Sequence, residues 1–309
     1  KGVTVIYISH RLDEIKRICD RITVLRDGKK VADLDIGDAS IDNIIHLMVG
    51  RDIVNKYPKI KSNRGKEALS VQGLERKGIL HNISFKAYTG EILGITGLVG
   101  AGRTEMARAI IGADPIDAGV VKIFGEKISI RSPRDSIKAA IAFLPEDRRN
   151  QGLVLIKDVL FNVSLVKLKQ YSHRGFLQLK NIHQDVDQLV SELKIRTPSV
   201  NTIVAELSGG NQQKVVIAKW LLTKARIFIF DEPTRGIDVG AKVEVYNLIN
   251  ELIKNDAAII IISSEMDEVM EMADRIIVMH EGEIMGEFAH EEATQEKILY
   301  LASGIKISA

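Results

Sequence analysis

The chain has 309 residues, with 43 basic against 41 acidic side chains and a net charge of +2. No long block of one charge sign occurs, so the composition gives no support to nucleic acid as a partner. The longest purely apolar run covers the six residues from Ala257 to Ile262, whereas a bilayer-spanning helix needs roughly 20. A chain of this composition is not expected to cross a membrane by itself.

The start of the chain and its cysteine content bear on its origin. The sequence opens at Lys1 without a methionine and enters an apolar run typical of a β-strand, Val3 to Ile8. We therefore expect a fragment of a longer protein. The single cysteine, Cys19, cannot form an internal disulfide, and no secretory signal is present. These features predict a reducing, cytoplasmic environment.

An internal repeat organises the chain. Shifting the sequence by 254 residues aligns its beginning with its end without a gap. The register predicts that residues 1–54 close one domain, that residues 55–67 form a linker, and that residues 68–309 form a complete second copy. The aligned identities are Ile6/Ile260, Ile8/Ile262, Ser9/Ser263, Asp13/Asp267, Glu14/Glu268, Asp20/Asp274, Arg21/Arg275, Ile22/Ile276, Val24/Val278, Gly28/Gly282, Ile44/Ile298, Leu47/Leu301 and Gly50/Gly304.

The elements of the second copy mix antiparallel and parallel signals. Short alternating strands come first, then buried apolar strands that alternate with helices, which indicates strand–helix–strand units around a parallel sheet. The predicted fold class is α/β, with a mixed sheet, an antiparallel β-subdomain and an inserted helical subdomain. In chain order we expect strands at Leu69–Val71, Ile83–Lys86 and Glu91–Thr96, a helix at Arg103–Ile111, helices within Lys157–Arg196, and strands at Ile227–Phe230 and Ala257–Ile262.

A glycine-rich loop follows the third of these strands and opens a helix. Glycines allow backbone N–H groups to wrap phosphates, and the helix N-terminus adds positive potential. Thr104 is placed to bind Mg²⁺ through its hydroxyl, and Arg103 stands where such loops usually carry lysine. By itself a glycine-rich strand–helix turn is a weak signal. The loop residues are Gly97, Leu98, Val99, Gly100, Ala101, Gly102, Arg103 and Thr104.

Two carboxylates end the next buried strand. Asp231 and Glu232 follow the run Ile227 to Phe230. This arrangement suits a metal ligand, Asp231, beside a catalytic base, Glu232, that orients an attacking water. Solvated acids at a strand tip are the alternative, which the glycine loop upstream makes less favourable.

A Ser-Gly-Gly turn before a helix completes the set. With the run Leu207 to Lys214, the sequence resembles the ATP-binding-cassette ATPases, which are P-loop NTPases, and the resemblance covers the whole chain. In that family Ser208, Gly209 and Gly210 present hydroxyl and amide donors to the γ-phosphate held by the partner domain. The cofactors implied are ATP and Mg²⁺.

Within that family the chain is similar to the tandem ATPases of bacterial monosaccharide importers of the ribose, galactose and xylose type. The stretches Gly100–Glu105, Pro145–Arg149, Asn211–Lys214 and Asp231–Lys242 carry this resemblance. It implies that Glu105 and Asp238 also lie at the nucleotide. Such proteins carry two cassettes in one chain and dock on a permease dimer at the cytoplasmic face of the inner membrane. They receive sugar indirectly from a periplasmic binding protein.

The chain departs from the family pattern at several positions. The first copy has His10 where a γ-phosphate-sensing histidine is usual, whereas the second has Ser264, which reaches less far and carries no charge. Glu146 replaces a metal-binding, permease-sensing glutamine, and Gly73–Ile79 lacks the aromatic residue that commonly stacks on adenine. With Arg103, these changes predict that the second copy binds nucleotide but hydrolyses it poorly.

The resemblance also implies that each nucleotide site is formed by residues from both copies. His10 and Ser208–Gly210 then serve one site, and Gly97–Thr104, Asp231–Glu232 and Ser264 serve the other. Two rival functions remain. One is a cassette ATPase that acts on ribosomes or DNA, which the short linker and insertion disfavour. The other is a cassette that binds nucleotide for regulation without hydrolysis.

Overall fold

The computed structural model describes residues 2–8, 12–26, 29–37, 39–40, 43–44, 47 and 56–305. In the first-copy segment, by which we mean the described residues from 2 to 47, helix α1 (Leu12–Ile18) precedes an antiparallel hairpin of β1 (Arg21–Arg26) and β2 (Lys29–Asp35). A small apolar cluster that includes Ile22 and Val24 holds the hairpin to the residues after it.

The expectation of a β-strand at Val3–Ile8 is wrong for this structure. Residues 2–8 form no strand, and Ile6 is 87% exposed. The counterpart of this run, residues 258–262, lies in the middle of a sheet with a hydrogen-bonded strand on each side. Among the described residues before Lys56 there are no strands equivalent to those two neighbours, so this structure offers the run no strand edge to pair with.

The second copy contains twelve strands and eight helices within the described range 56–305. The strands are β3 (Glu67–Arg76), β4 (Leu80–Tyr88), β5 (Ile92–Gly97), β6 (Ala118–Ile123), β7 (Glu126–Lys127), β8 (Ile141–Leu144), β9 (Ser172–His173), β10 (Phe176–Leu177), β11 (Ile227–Asp231), β12 (Ala258–Ile262), β13 (Arg275–His280) and β14 (Glu283–Ala289). The helices are α2 (Arg103–Ile110), α3 (Pro133–Lys138), α4 (Val159–Ser164), α5 (Leu179–Glu192), α6 (Gly209–Leu221), α7 (Val239–Lys254), α8 (Met266–Met272) and α9 (Gln295–Ala302).

The central sheet has six strands in the order β14-β13-β5-β12-β11-β8. Five of them run parallel, and β14 pairs antiparallel with β13 at one edge. The predicted parallel sheet is therefore confirmed, and the predicted strands at residues 91–96, 227–230 and 257–262 become β5, β11 and β12. The chain passes from β5 to β8, β11 and β12 on one side and to β13 on the other. Ligands of open α/β sheets bind outside the carboxyl ends of the strands at such a switch.

Side chains alternate between two cores across this sheet. In β11, Phe228 and Phe230 pack among α6, α7 and α8, whereas Ile227 and Ile229 face α2 and the antiparallel strands. This is the period of two that a strand imposes. Because both faces are covered, the strand is apolar at every position until Asp231, which explains why its sequence is a continuous apolar run.

Two further parts flank the sheet as the sequence predicts. Strands β4-β3-β6-β7 form the antiparallel subdomain. The inserted subdomain contains α4 and α5, but between them the chain forms the two-stranded hairpin β9–β10, which the helical spacing of this region did not predict. Short turns of 3₁₀ or π helix complete the insertion and its borders, at Arg148–Gly152, Leu165–Lys167 and Val204–Glu206; another lies at His290–Glu292.

The segment before β3 is fastened to the second copy. Tyr57 packs against Tyr246 of α7 with 5.6 Å between ring centroids, and the ammonium of Lys59 lies 3.2 Å from the carboxylate of Asp274. Asn250 of α7 also donates to the carbonyl of Pro58. Residues 57–59, expected to be part of a linker, are therefore part of the second copy's surface.

Within the described ranges, no helix combines the length and the apolar character needed to cross a bilayer.

Candidate nucleotide site

Four parallel strands deliver the predicted site residues to one edge of the sheet. The glycine loop follows β5, Ser263 and Ser264 follow β12, Asp231 ends β11, and Glu146 lies two residues after β8. Because parallel strands end at the same edge, residues far apart in the sequence become neighbours here. The structure thus brings together three of the predicted groups: the loop, the carboxylate pair and Ser264.

The glycine loop has the backbone shape that a phosphate cradle requires. Gly102, the residue before α2, has φ of +90°, a conformation that side chains other than glycine rarely adopt. The outer part of the loop faces solvent, since Val99 is 94% exposed. The loop is braced from behind, because the N–H of Gly282 donates to the carbonyl of Ala101 at 3.0 Å. A rigid loop with an open outer face can receive an anionic group.

Arg103 does not extend toward solvent. Its side chain is buried, Nη1 donates to the carbonyl oxygen of Ser263 at 2.7 Å, and the same atom lies 4.0 Å from Oε1 of Glu232. Burial lowers the pKa of Arg103, while the nearby acids Glu232 and Asp231 oppose that shift. Arginine stays protonated despite this lower pKa, so a positive charge lies directly behind the loop.

Asp231 has a deeply buried carboxylate at the end of β11. Among the residues the structure describes, neither carboxylate oxygen has a well-aligned hydrogen bond, although both are buried. Burial raises the pKa of Asp231 to about 6, and the nearby hydroxyl of Thr104 opposes this shift. Buried polar atoms normally have partners. The side chains of Asp231 and Thr104 therefore fit a hard cation such as Mg²⁺, which prefers oxygen ligands and keeps several waters.

Glu232 is held by the backbone of the neighbouring strand. Its Oε1 accepts from the N–H of Ser264 at 2.7 Å, and its own N–H donates to the carbonyl of Ile262 at 2.8 Å. Its φ is +49°, an unusual value for a residue with a side chain. Such outliers persist where the surrounding structure holds them, often at functional sites. The carboxylate thus lies between the Arg103 charge and the Ser264 turn.

Glu146 lies at this edge but is engaged elsewhere. Its carboxylate forms an ion pair with the guanidinium of Arg235, a residue four positions after Asp231. In this geometry Glu146 neutralises an arginine, so the structure does not present it as a metal ligand. Among the described residues no group of three His, Cys, Asp or Glu side chains could hold a metal. The sequence pattern did not predict Arg235 as the partner of Glu146.

The Ser-Gly-Gly turn lies on the helical side of the molecule. Ser208 caps α6, its Oγ accepting from the backbone N–H of Asn211 at 3.5 Å and from the side-chain amide of the same residue at 2.9 Å. A Cβ at Gly209 would lie 2.8 Å from a nitrogen of Arg148, so a larger residue there would displace that arginine. Between residues 56 and 305 no hydrogen bond joins this turn to the glycine loop. The turn is not part of the site built around Asp231.

Arg148 is a residue to which sequence reasoning assigned no role. Its guanidinium donates to the carbonyls of Arg235 and Gly236, at 2.8 and 3.1 Å. It therefore ties the chain after Asp231 to the segment Arg148–Gly152, and it lies against Gly209 of the Ser-Gly-Gly turn. The only sequence signal was its place in the run Pro145–Arg149. Asp238, predicted at the nucleotide, caps α7 by accepting from the N–H of Ala241 at 2.9 Å.

The remaining predicted residues can be placed briefly. Glu105 lies in the first turn of α2, partly buried. Leu98 of the glycine loop is 48% exposed, and Gly97 and Gly100 complete the loop before Gly102. His10 lies outside the described residues.

The fold and this edge together define a phosphate-loop nucleotide-binding domain of the cassette type. The family model described as "ABC transporter" matches residues 80–235, from the start of β4 to beyond Glu232. The match covers half of the chain and includes the loop, the Ser-Gly-Gly turn and the carboxylate pair. The chain belongs to the ABC transporter family.

Named relatives are similar along almost the whole chain. The Ribose import ATP-binding protein RbsA of Oceanobacillus iheyensis is 49% identical over 304 residues, which cover 98% of this chain and 61% of the relative. RbsA of Bacillus subtilis is 46% identical, with 98% and 62% covered. A putative ribose/galactose/methyl galactoside import ATP-binding protein of Geobacillus kaustophilus is 49% identical, with 98% and 60% covered. The chain spans about three fifths of the length of these relatives.

Solved structures confirm the fold. An ATP-binding cassette of an ABC transporter in its ADP conformation superposes with a TM-score of 0.65 at 23% identity, over 78% of this chain and 100% of that chain. The cbiO1 protein of Clostridium perfringens, part of an ABC transporter complex, superposes with a TM-score of 0.63 at 24% identity, over 76% and 93%. The predicted α/β fold of the cassette type is therefore confirmed.

Proposed function

We propose that the second copy binds ATP with Mg²⁺ at the β5–β12–β11 edge and hydrolyses it slowly, as one of two cassettes that power import of a simple sugar. The observation that carries the binding site is the buried carboxylate of Asp231 beside Thr104, whose oxygens receive no well-aligned hydrogen bond from the described residues, at the mouth of the glycine loop. Sugar import rests on the similarity to relatives named as ribose and galactose import proteins.

Each residue of the edge has a part in this proposal. Backbone N–H groups of the glycine loop and the N-terminus of α2 bind the phosphates, with the Arg103 charge behind them. Thr104 and Asp231 hold Mg²⁺, which supplies charge neutralisation at the phosphate oxygens. Glu232 accepts a proton from the attacking water, and the Ser264 N–H keeps its carboxylate in place.

The position of the Ser-Gly-Gly turn supports sharing of sites between cassettes. Since Ser208–Gly210 makes no hydrogen bond to its own glycine loop, it is available to nucleotide held by a partner cassette. We propose that residues 1–54 belong to that partner, with His10 in its site, and that residues 68–309 are the second cassette. Residues 55–67 connect the two.

The proposed setting follows from the same relatives. The pair of cassettes docks on a permease dimer at the cytoplasmic face of the bacterial inner membrane. A periplasmic binding protein supplies the sugar to that permease. Nucleic acid has no part in this cycle.

A nucleotide-binding cassette that does not hydrolyse is a second candidate. It is favoured by two contacts: Arg103 is bound to the Ser263 carbonyl, and Glu146 is neutralised by Arg235. It is disfavoured by Glu232, because a site without hydrolysis does not need a held carboxylate beside the metal ligand.

The test is binding and single-turnover hydrolysis by this chain, with protein in excess over radiolabelled Mg·ATP. We expect tight binding and slow hydrolysis that Glu232→Gln abolishes, with binding retained. Binding without hydrolysis in either protein would establish the regulatory candidate. No binding, or fast turnover by the chain alone that Glu232→Gln removes, would contradict the proposed slow site. Glu271→Gln is the control, because it replaces an exposed carboxylate of α8 to which the proposed site gives no role.

A further inference from the structure

Glu268 is a buried acid to which the proposed mechanism gives no role. It lies in α8 and is fully buried, whereas Glu271 on the same helix is exposed. Within the described ranges no lysine or arginine forms an ion pair with it. Burying a carboxylate without a cation is costly. Such a residue needs a reason beyond filling the core, for which a leucine would serve better.

Hydroxyl groups from two different loops converge on the Glu268 carboxylate. Thr234 Oγ1 donates to Oε1 at 3.0 Å, and Ser263 Oγ donates to Oε2. The hydroxyl of Tyr246 faces the same group. Burial raises the pKa of Glu268, and these hydroxyls oppose the shift. The acid therefore joins the loop after β11, which carries Thr234, to the turn after β12, which carries Ser263.

Ser263 is the junction through which this connection reaches the site. Its N–H donates to the carbonyl of Ile95 at 3.1 Å, and its own carbonyl accepts from Arg103 at 2.7 Å and from Thr96 at 3.1 Å. The next residue, Ser264, donates its N–H to Glu232. A shift of Ser263 would therefore displace both the stored charge of Arg103 and the support of Glu232.

We propose that Glu268 is a positioning residue, which fixes the Ser263–Ser264 turn and thereby aligns Arg103 and Glu232. This role rests on the proposed ATP site. The proposal gives helix α8 a role in the site. Its buried acid, Glu268, joins the loop after β11, which follows Glu232, to the turn that carries the N–H of Ser264, and this N–H holds the Glu232 carboxylate. Because Thr234 and Ser263 both donate to the same carboxylate, removing its charge loosens both loops at once.

The first test measures the turn itself and does not need hydrolysis. Hydrogen exchange of the amides of Ser263 and Ser264 is compared between the parent chain and Glu268→Gln, which keeps the shape of the side chain. We expect these amides to exchange about tenfold faster in the variant, with the β12 amides of Ile259–Ile261 unchanged. Unchanged exchange at the turn, or an increase spread evenly over β12, overturns the positioning role.

The second test measures chemistry by single turnover at saturating Mg·ATP. We expect Glu268→Gln and Ser263→Ala each to slow hydrolysis about tenfold, with the dissociation constant of ATP within about twofold, because the support of Glu232 is lost and the loop is not. The double variant is no slower than the slower single variant, since both changes cut one connection. Glu271→Gln is the matched control and leaves both quantities unchanged.

The outcomes separate the two proposals. A parent chain that hydrolyses ATP together with a Glu268→Gln variant of equal rate overturns the positioning role and leaves the proposed function standing. Additive losses in the double variant also overturn it. A parent that does not bind ATP overturns the proposed function and the catalytic meaning of Glu268 with it, even where the exchange result is positive.

Discussion

The first-copy segment and the last part of the second copy are built from the same elements in the same register. Helices α1 and α8 have bounds 254 residues apart, as do β1 and β13, and β2 and β14. Even the irregularity in the hairpin repeats, between Val24 and Leu25 in one copy and between Val278 and Met279 in the other. A bulge that recurs at the same position is a feature of the sequence pattern.

The two regions differ where a strand needs partners. Residues 258–262 form β12 between β5 and β11, whereas the equivalent run Val3–Ile8 is exposed and forms no strand. A helix and a hairpin satisfy their backbone within one stretch of chain. A central strand depends on neighbours that come from elsewhere. The difference shows that local sequence is sufficient to form the helix and the hairpin and is insufficient to form a central strand.

The largest contrast is expected at the paired arginines. Arg275 donates two hydrogen bonds of 3.0 Å to the buried acid Glu91 and contacts Glu287, whereas its counterpart Arg21 is exposed. Arg275→Met leaves the buried Glu91 with only the N–H of Tyr88 at 3.2 Å and the guanidinium of Arg64 at 4.0 Å, and we expect the free energy of unfolding to fall by about 3 kcal/mol. Urea unfolding of the variant and of the parent chain measures this loss in the free energy of unfolding. Arg21→Met is the control, and similar losses in both variants would contradict the comparison.

The next contrast uses identical residues in the two copies. Ile260 is 1% exposed in β12 and Ile6 is 87% exposed. We expect Ile260→Ala to cost about 3 kcal/mol through lost burial and the cavity left behind. Ile6→Ala should change stability by less than about 0.5 kcal/mol. The denaturation midpoints of the two variants measure the difference. A substantial loss in the Ile6 variant would show that Val3–Ile8 is buried in solution.

A smaller contrast is expected at the paired aspartates. Asp274 accepts from the N–H of Ile92 at 2.9 Å and lies 3.2 Å from the Lys59 ammonium, whereas Asp20 is exposed. Asp274→Ala leaves that N–H without its acceptor, and we expect a loss of about 1.5 kcal/mol. Thermal unfolding of Asp274→Ala and Asp20→Ala tests this. Equal melting temperatures would mean that Asp274 does not fasten β5.

The smallest expected effect is on activity. It follows from a substitution that makes the two copies alike at the turn after β12. Ser264→His gives the second copy the residue that the first has at His10. The backbone N–H that holds Glu232 is retained, and the imidazole reaches further than a hydroxyl. We expect single-turnover hydrolysis to rise about tenfold, or about 1.4 kcal/mol in activation free energy. Ser264→Ala is the control and should leave the rate unchanged. No increase in the histidine variant would show that residue 264 does not limit hydrolysis.

The sequence alone determined much of this protein. Glycine spacing and apolar runs were sufficient to predict the parallel strands and to place the glycine loop and the carboxylate pair at strand ends, and the resemblance of the run Leu207 to Lys214 to a known family predicted the cassette fold. Each of these signals lies within about ten consecutive residues, where chain geometry links pattern to structure. The register of the repeat could also be predicted from the sequence, because the bounds of the helix and the hairpin follow local patterns.

Only the tertiary structure decided which residues of the site contact one another. Arg103 and its acceptor Ser263 are 160 residues apart, and the Glu146–Arg235 pair and the acceptors of Arg148 are also distant along the chain. No periodicity encodes such pairs, because they arise when strand ends meet at one edge of the sheet. The same reason explains Val3–Ile8: its pattern is that of a strand, but pairing requires partner strands, and those are a property of the fold.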